Sequence, residues 1–183
     1  MLFIRLFRLI PILGLLFVSS LCSAQDRGKA TKEQPEHYVE RSKTIAMFYK
    51  LLNQESEPTV EEAFLIFHPE MEWSVAYTEY ADNRQKALDH INGPEDTQKS
   101  LLFTKLREMK DRLQFGEHEP NTSPHLSILP VPDNSNALKA VFPRQKKALE
   151  ITFTFPLHPD HYKRISNIYL ENGESALKLI GAK

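Results

Sequence analysis

Apolar residues recur at helical spacing through the first half of the chain, and they predict a series of helices. The first helix is expected to start at Pro35 and to leave Arg41 outside its apolar stripe. That stripe consists of Tyr38, Ile45, Tyr49 and Leu52. A second, shorter helix is expected after Thr59, because Thr59 and Glu62 have the spacing of a capping box.

A strand is predicted over residues 71–77, directly after the His68-Pro69 sequence that ends the second helix. Apolar and polar residues alternate there, which is the pattern of a strand buried on one face. The expected inward set is Met71, Trp73, Val75 and Tyr77, and the expected outward set is Glu72, Ser74, Ala76 and Thr78. Two further helices are expected, one over residues 82–91 and one from Pro94 to a stop at Gly116.

The second half of the chain has the features of consecutive strands. Clusters rich in proline, aspartate and asparagine separate four predicted strands, at residues 125–131, 137–142, 149–155 and 164–171. Asn172-Gly173 is a hairpin signal and predicts a return strand over residues 175–180. Helices followed by strands with short turns predict an α+β fold, with N-terminal helices packed on an antiparallel sheet.

Residues 1–24 have the three parts of a secretory signal peptide. A basic start with Arg5 and Arg8 precedes a short apolar run, and small residues precede a cut after Ala24. The apolar run is too short to span a bilayer, so no stable membrane anchor is expected. Cleavage would give a periplasmic or secreted chain with a mobile leader at 25–35 and one domain at 36–183. The alternative is a lipoprotein signal that uses Cys22 as its lipid anchor, with Leu21 in place of the usual small residue.

Composition narrows the possible classes of partner. Cleavage removes two of the 23 basic residues and none of the 24 acidic ones, which leaves a net charge of −3. This balance, with no basic block, argues against a nucleic-acid partner. The single cysteine, Cys22, leaves with the signal, so the mature domain is expected to have no disulfide. The chain contains no glycine-rich phosphate loop and no nucleophile elbow, and no cofactor is predicted.

Two segments resemble the opening of NTF2-like (SnoaL-like) domains. They are Phe48-Tyr49 with Leu51-Leu52 in the first helix, and the sequence from Phe67 to Trp73 at the entry to the sheet. The resemblance covers residues 38–171 and includes the order of the elements. It implies a cone-like fold in which the helices and a strongly curved sheet enclose a cavity. In that family the cavity serves as an active site, as a ligand pocket, or as neither.

The side chains expected to line such a cavity are the candidate ligand-binding residues Trp73, Tyr77, Tyr49, Phe153 and Asn167. Trp73 would form an apolar wall and the Tyr77 hydroxyl a polar contact for a small apolar or amphipathic ligand. Plain core packing is the alternative role for this pair, because large aromatic side chains are usually buried.

An enzyme is less favoured than a binding module. Isomerases and dehydratases of the family place a carboxylate or histidine in the cavity, often with a tyrosine. Here the four late strands contain no aspartate, Glu150 alternates with the apolar face of its strand, and His90 lies on a short helix where a surface position is expected. We therefore predict a non-enzymatic exported binding module with no catalytic residues. The alternatives are a protein-binding inhibitor or immunity-type protein, or a small isomerase-like or dehydratase-like enzyme.

His158-Pro159-Asp160-His161 is the single cluster in the sequence that resembles a metal site. Two histidines and an aspartate could bind copper or zinc in an exported protein. Zinc sites need three or four ligands, and this stretch offers at most three, in an unfavourable local order. A polar loop between strands explains the same residues, so no metal is predicted. The sequence leaves the oligomeric state open, a homodimer included.

Overall fold

The computed structural model describes residues 37–93, 98–110, 126–142 and 149–182, all within the unit Gln34–Lys183. Helices come first: α1 (Tyr38–Asn53), α2 (Val60–Ile66), α3 (Pro69–Glu79), α4 (Arg84–Asn92) and α5 (Leu101–Glu108). The strands follow as β1 (Ser127–Val131), β2 (Asn134–Phe142), β3 (Leu149–Thr154) and β4 (Asn167–Tyr169), and α6 (Ala176–Leu179) comes after them. The strands form one antiparallel sheet in chain order, so the α+β prediction is confirmed.

Several sequence predictions lie outside the described residues. They are the signal peptide, the leader, the starts at Pro35 and Pro94, and the stop at Gly116. The capping box is confirmed: the Glu62 amide donates to Thr59 Oγ1, and the Thr59 amide donates to the Glu62 carboxylate. The strand alternation of β3 is also confirmed, since Leu149, Ile151 and Phe153 are buried.

The core is a cluster of aromatic rings between the helices and the sheet. Phe48 of α1 lies at its centre, with ring centroids 5.7 Å from Phe67, 6.1 Å from Phe103 and 5.5 Å from Phe153. These four phenylalanines come from α1, the end of α2, α5 and β3, and all are fully buried. One set of contacts therefore holds the helices and the sheet together.

The strand predicted over residues 71–77 is wrong, because this segment is helix α3. His68-Pro69 does end α2, but Pro69 then occupies the first position of a new helix, where a proline loses no hydrogen bond. The His68 ring caps this helix, with Nδ1 accepting from the Glu70 amide at 3.3 Å. At helical spacing Met71 and Val75 still face the core, whereas the predicted outward residue Glu72 is buried with them.

Two other predictions are corrected. The segment 175–180 is not a strand: Gly173 takes the expected turn conformation at φ 78°, but only a single bridge from Tyr169 to Ser175 follows before α6 begins. Arg41 is not on the solvent side of α1 but 3 % exposed. Its guanidinium donates to the Tyr162 carbonyl at 2.8 Å and the Ser135 carbonyl at 2.7 Å.

The end of α1 is held by an arginine from α5. Arg107 Nη2 donates to the carbonyls of Leu51, Gln54 and Ser56 at 2.8, 2.8 and 2.7 Å. Leu51 is in the last turn of α1, where carbonyls have no partner within the helix.

We expect Arg107→Met to lower the free energy of unfolding by about 1–3 kcal/mol, because it keeps the apolar stem but leaves these acceptors without their donor. Urea unfolding followed by circular dichroism measures the loss. Arg84→Met, at an exposed position at the start of α4, is the matched control and should change stability little. Equal stability of the two variants would contradict the role of Arg107 as the donor that stabilises the C-terminal end of α1.

Candidate functional site

The outer side of α3 carries an exposed aromatic surface. Trp73 and Tyr77 lie one helical turn apart, with ring centroids 6.2 Å apart and ring planes inclined by 41°. Tyr77 is 54 % exposed, and Trp73 is half-buried. A shallow groove of about 240 Å³ follows this side of the helix. We call its lining the aromatic face: Trp73, Ser74, Tyr77, Thr78 and Ala81.

Two aliphatic hydroxyl groups, those of Ser74 and Thr78, lie within the aromatic face beside the phenolic hydroxyl of Tyr77. Ser74 Oγ donates to the Glu70 carbonyl at 2.7 Å, and Thr78 Oγ1 donates to the Ser74 carbonyl at 2.9 Å. Because both protons are used inside the helix, these hydroxyls offer a ligand acceptor oxygens only. The face therefore presents two aromatic rings and a few weak polar groups, which suits contact with an apolar or cationic group.

The opposite side of α3 carries a buried polar cluster formed by Glu72, His90 and Ser100. Glu72 is 0 % exposed, and its Oε1 lies 3.0 Å from His90 Nε2 on α4. Its Oε2 accepts from Ser100 Oγ at 2.6 Å, and Oε1 also accepts from the Leu101 amide at 2.8 Å. Ser100 Oγ in turn accepts from the Phe103 amide as the N-cap of α5. One carboxylate thus joins three helices.

This cluster does not have the order of a catalytic relay. In a serine nucleophile system the histidine accepts the serine proton and the carboxylate orients the histidine. Here Glu72 lies between Ser100 and His90 and takes the serine proton itself. Glu72 also has no exposed surface. We therefore assign the cluster a structural role, which is to hold α3 against α4 and α5.

The structure distributes the predicted ligand-binding residues over three places. Trp73 and Tyr77 are together on the aromatic face. Tyr49 and Phe153 contact each other in the core, with ring centroids 6.3 Å apart, and burial raises the pKa of the Tyr49 hydroxyl well above its ordinary value of 10.0. Asn167 lies in β4, where its Oδ1 accepts from Ser175 Oγ at 2.7 Å and from the Ile168 amide.

Sequence reasoning missed the buried cluster. It placed Glu72 outside because of the strand assignment, and it expected His90 at the surface, although His90 is buried. One signal was present in the sequence. Ser100 precedes the apolar run Leu101-Leu102-Phe103, as an N-cap serine does, and a helix end needs acceptors for its first amides.

Besides the aromatic face and the buried polar cluster, the structure contains a group of three imidazole rings. We call it the histidine cluster, and it consists of His68, His158 and His161. Ring centroids are 5.0 Å apart for His68 and His161, and 5.4 Å apart for His158 and His161. His161 Nδ1 is buried and has no hydrogen-bond partner among the described residues. Across the described ranges, no three His, Cys, Asp or Glu side chains are arranged to hold a metal ion.

The histidine cluster makes stability depend on pH. Burial lowers the pKa of His68 from its ordinary value of 6.5, and the positive charges of His161, Arg164 and His158 lower it further, against an opposing effect of Glu70. The folded state therefore binds this proton less readily than the unfolded state, so stability falls as pH falls below about 6.5.

We expect His68→Asn to lose less stability than the wild type between pH 7 and pH 5, since asparagine can still cap α3 but cannot be protonated. Thermal melts across this pH range measure the difference. Both proteins share all other titrating groups, so parallel pH profiles would contradict the role of His68.

Comparisons with protein-family models, curated proteins and solved structures found no match to this chain. None of the helices in the described part of the chain is long and apolar enough to cross a membrane. Together the fold and the site define an α+β protein with an aromatic surface on a firmly anchored helix.

Proposed function

We propose that this chain is a non-enzymatic binding domain that contacts a protein partner through the aromatic face of α3. The observation that carries the proposal is the surface pair of half-buried Trp73 and exposed Tyr77, on a helix whose other side is fixed by Glu72. Tryptophan and tyrosine are enriched among the residues that dominate the energy of protein interfaces. A helix held in place before binding loses little conformational entropy when the partner arrives.

The size and position of the groove favour a protein over a small molecule. Pockets that bury a small ligand usually measure about 300–1,000 Å³, whereas this groove holds about 240 Å³ and is open along one helix. Such a groove fits one side chain of a larger partner. Tyr49 and Phe153, which were predicted to line an internal pocket, instead fill the core by contacting each other and Phe48.

A small amphipathic ligand is the second candidate. It is supported by the acceptor oxygens of Ser74 and Thr78 beside the two rings, an arrangement that can bind a flat, partly polar molecule. Trp73 is the only tryptophan in the chain, so its emission reports directly on this site. Saturable changes of that emission with fractions of a metabolite extract, weakened by Tyr77→Phe, would favour this candidate.

Export and an NTF2-like relationship belong to the same proposal. The relationship is supported by the order of the elements, with helices before an antiparallel meander, and by burial of Phe48, Tyr49, Leu51 and Leu52 in the first segment that carried the resemblance. The second segment, residues 67–73, leads into helix α3 and does not enter the sheet, so it adds no support. Export is supported by the sequence of residues 1–24 alone. Intact-mass analysis of the exported protein tests it, and a chain that starts at Cys22 with added lipid mass would contradict cleavage after Ala24.

Site-specific crosslinking tests the protein-binding proposal. A photoreactive phenylalanine analogue at Tyr77 should give a discrete crosslinked product in cells that express the chain. The same analogue at Leu157, which is also apolar and exposed, is the matched control. We expect the product at Tyr77 only, and we expect Trp73→Phe to reduce it. Identical products from both positions, or none from Tyr77, would contradict a partner site on this face.

A further inference from the structure

The segment that carries the aromatic face is strongly acidic. The sequence PEMEWSVAYTEYAD, residues 69–82, contains Glu70, Glu72, Glu79 and Asp82 and no lysine, arginine or histidine. Two of these four carboxylates already have partners within the protein. Glu72 belongs to the buried cluster, and the carboxylate of Glu79 lies 3.1 Å from Lys105 Nζ. The negative charge that remains on this segment is therefore that of Glu70 and Asp82.

Glu70 and Asp82 flank the aromatic face. Glu70 is three residues before Trp73 and seven before Tyr77, so the three side chains follow one stripe of α3. Asp82 directly follows Ala81, the last residue of the lining. Both acids are exposed, and neither forms an ion pair with another described residue. The Glu70 amide donates to His68 Nδ1, and burial and nearby positive charge lower the pKa of His68.

We infer that the partner inserts a cationic side chain, arginine or lysine, between the ring of Trp73 and the carboxylate of Glu70. This inference rests on the proposed function and adds the chemistry of the partner. A cation is attracted to the face of an aromatic ring, and tryptophan gives the strongest attraction. Arginine fits best, because its planar guanidinium can stack on the ring while its N–H groups donate to a carboxylate. An acidic segment of a partner protein would instead be repelled by Glu70 and Asp82.

Fluorescence titration tests this inference, because all tryptophan emission comes from Trp73. The probes are an arginine-containing peptide and its counterpart with each arginine replaced by glutamate. We expect the basic peptide to change the emission saturably and the acidic peptide to have no saturable effect. Glu70→Gln should weaken binding of the basic peptide about 2- to 5-fold, the range of one exposed ion pair. About 0.5 M NaCl should weaken the wild type more than the variant.

The outcomes separate this inference from the function on which it rests. Equal binding of the two peptides, or no change in emission with the basic peptide up to about 1 mM, would overturn the cationic inference. In either case a crosslinked partner at Tyr77 would leave the proposed function standing. Calorimetry extends the test to Trp73→Phe and Tyr77→Ala. Both substitutions should lower the affinity of the protein for the basic peptide. If both variants bind it as the wild type does, the peptide binds elsewhere and the cationic inference fails.

Discussion

Replacing Glu72 by alanine is expected to lower the free energy of unfolding by about 3–5 kcal/mol, because several buried groups lose their partner at about 1–3 kcal/mol each. The fully buried carboxylate accepts from Ser100 Oγ and the Leu101 amide and contacts His90 Nε2. Alanine would leave these groups without their partner in a site from which water is excluded. Chemical unfolding followed by circular dichroism measures the loss.

Glu70→Gln provides the matched control for Glu72→Ala, since Glu70 lies on the same helix but is exposed. Its effect on stability should be small. Glu72→Gln should fall between the two, because the amide keeps one acceptor oxygen and places a donor where the second oxygen was. If Glu72→Ala unfolds like Glu70→Gln, the cluster does not anchor α3.

The Glu72 cluster also explains how an aromatic pair at the protein surface can be held in a fixed position. Most helical stability in proteins comes from packing one face, and α3 packs Met71, Val75 and Ala76 inward. Glu72 adds directional bonds to α4 and α5 on the same side. The outer side is then free to carry Trp73 and Tyr77 without contributing much to the core. Binding and stability are thus assigned to opposite sides of one helix, and substitutions on the two sides should separate them.

The sequence predicts the fold class and most elements, because local signals and tertiary packing agree there. The capping box at Thr59 and the alternation in β3 are examples in which one pattern fits one structure. Residues 71–77 lack this agreement. They alternate at period two, yet Met71 and Val75 also have the spacing of one helix face, and seven residues are too few to distinguish the two periods. The proline was interpreted as a stop, whereas at the first position of a helix it is also a start.

The candidate site could be predicted only in part, since its residues come together through packing. Trp73 and Tyr77 were expected on one strand face with Val75 between them, and they are direct neighbours at spacing i, i+4 on a helix. The Glu72 contacts join positions 18 to 29 residues apart, which no local pattern encodes. Arg41 was misplaced for a similar reason. A local pattern predicts that a charged residue near an apolar stripe is exposed. Only the distant acceptors of Arg41, the carbonyls of Ser135 and Tyr162, explain why it is buried.

Phe48→Ala is the second substitution with a large expected effect. Phe48 is 0 % exposed, and its ring contacts aromatic residues of α1, α5, β3 and the end of α2. Truncation removes a large apolar side chain and leaves a cavity that rigid neighbours cannot fill. We expect a loss of about 3–5 kcal/mol in the free energy of unfolding. Urea unfolding at neutral pH, with near-ultraviolet circular dichroism to follow the packing of the aromatic rings, measures it.

Met47→Ala is the matched control for this effect, because Met47 precedes Phe48 on α1 and is 39 % exposed. It removes an apolar side chain from the same helical turn without opening the aromatic cluster, so it should cost less than about 1 kcal/mol. Phe48→Leu should fall between the two variants, because leucine fills part of the volume but lacks the edge-to-face contacts with Phe67 and Phe153. Similar losses for Phe48→Ala and Met47→Ala would mean that Phe48 is not central to the core, and the packing of α1 between α5 and the sheet would have to be revised.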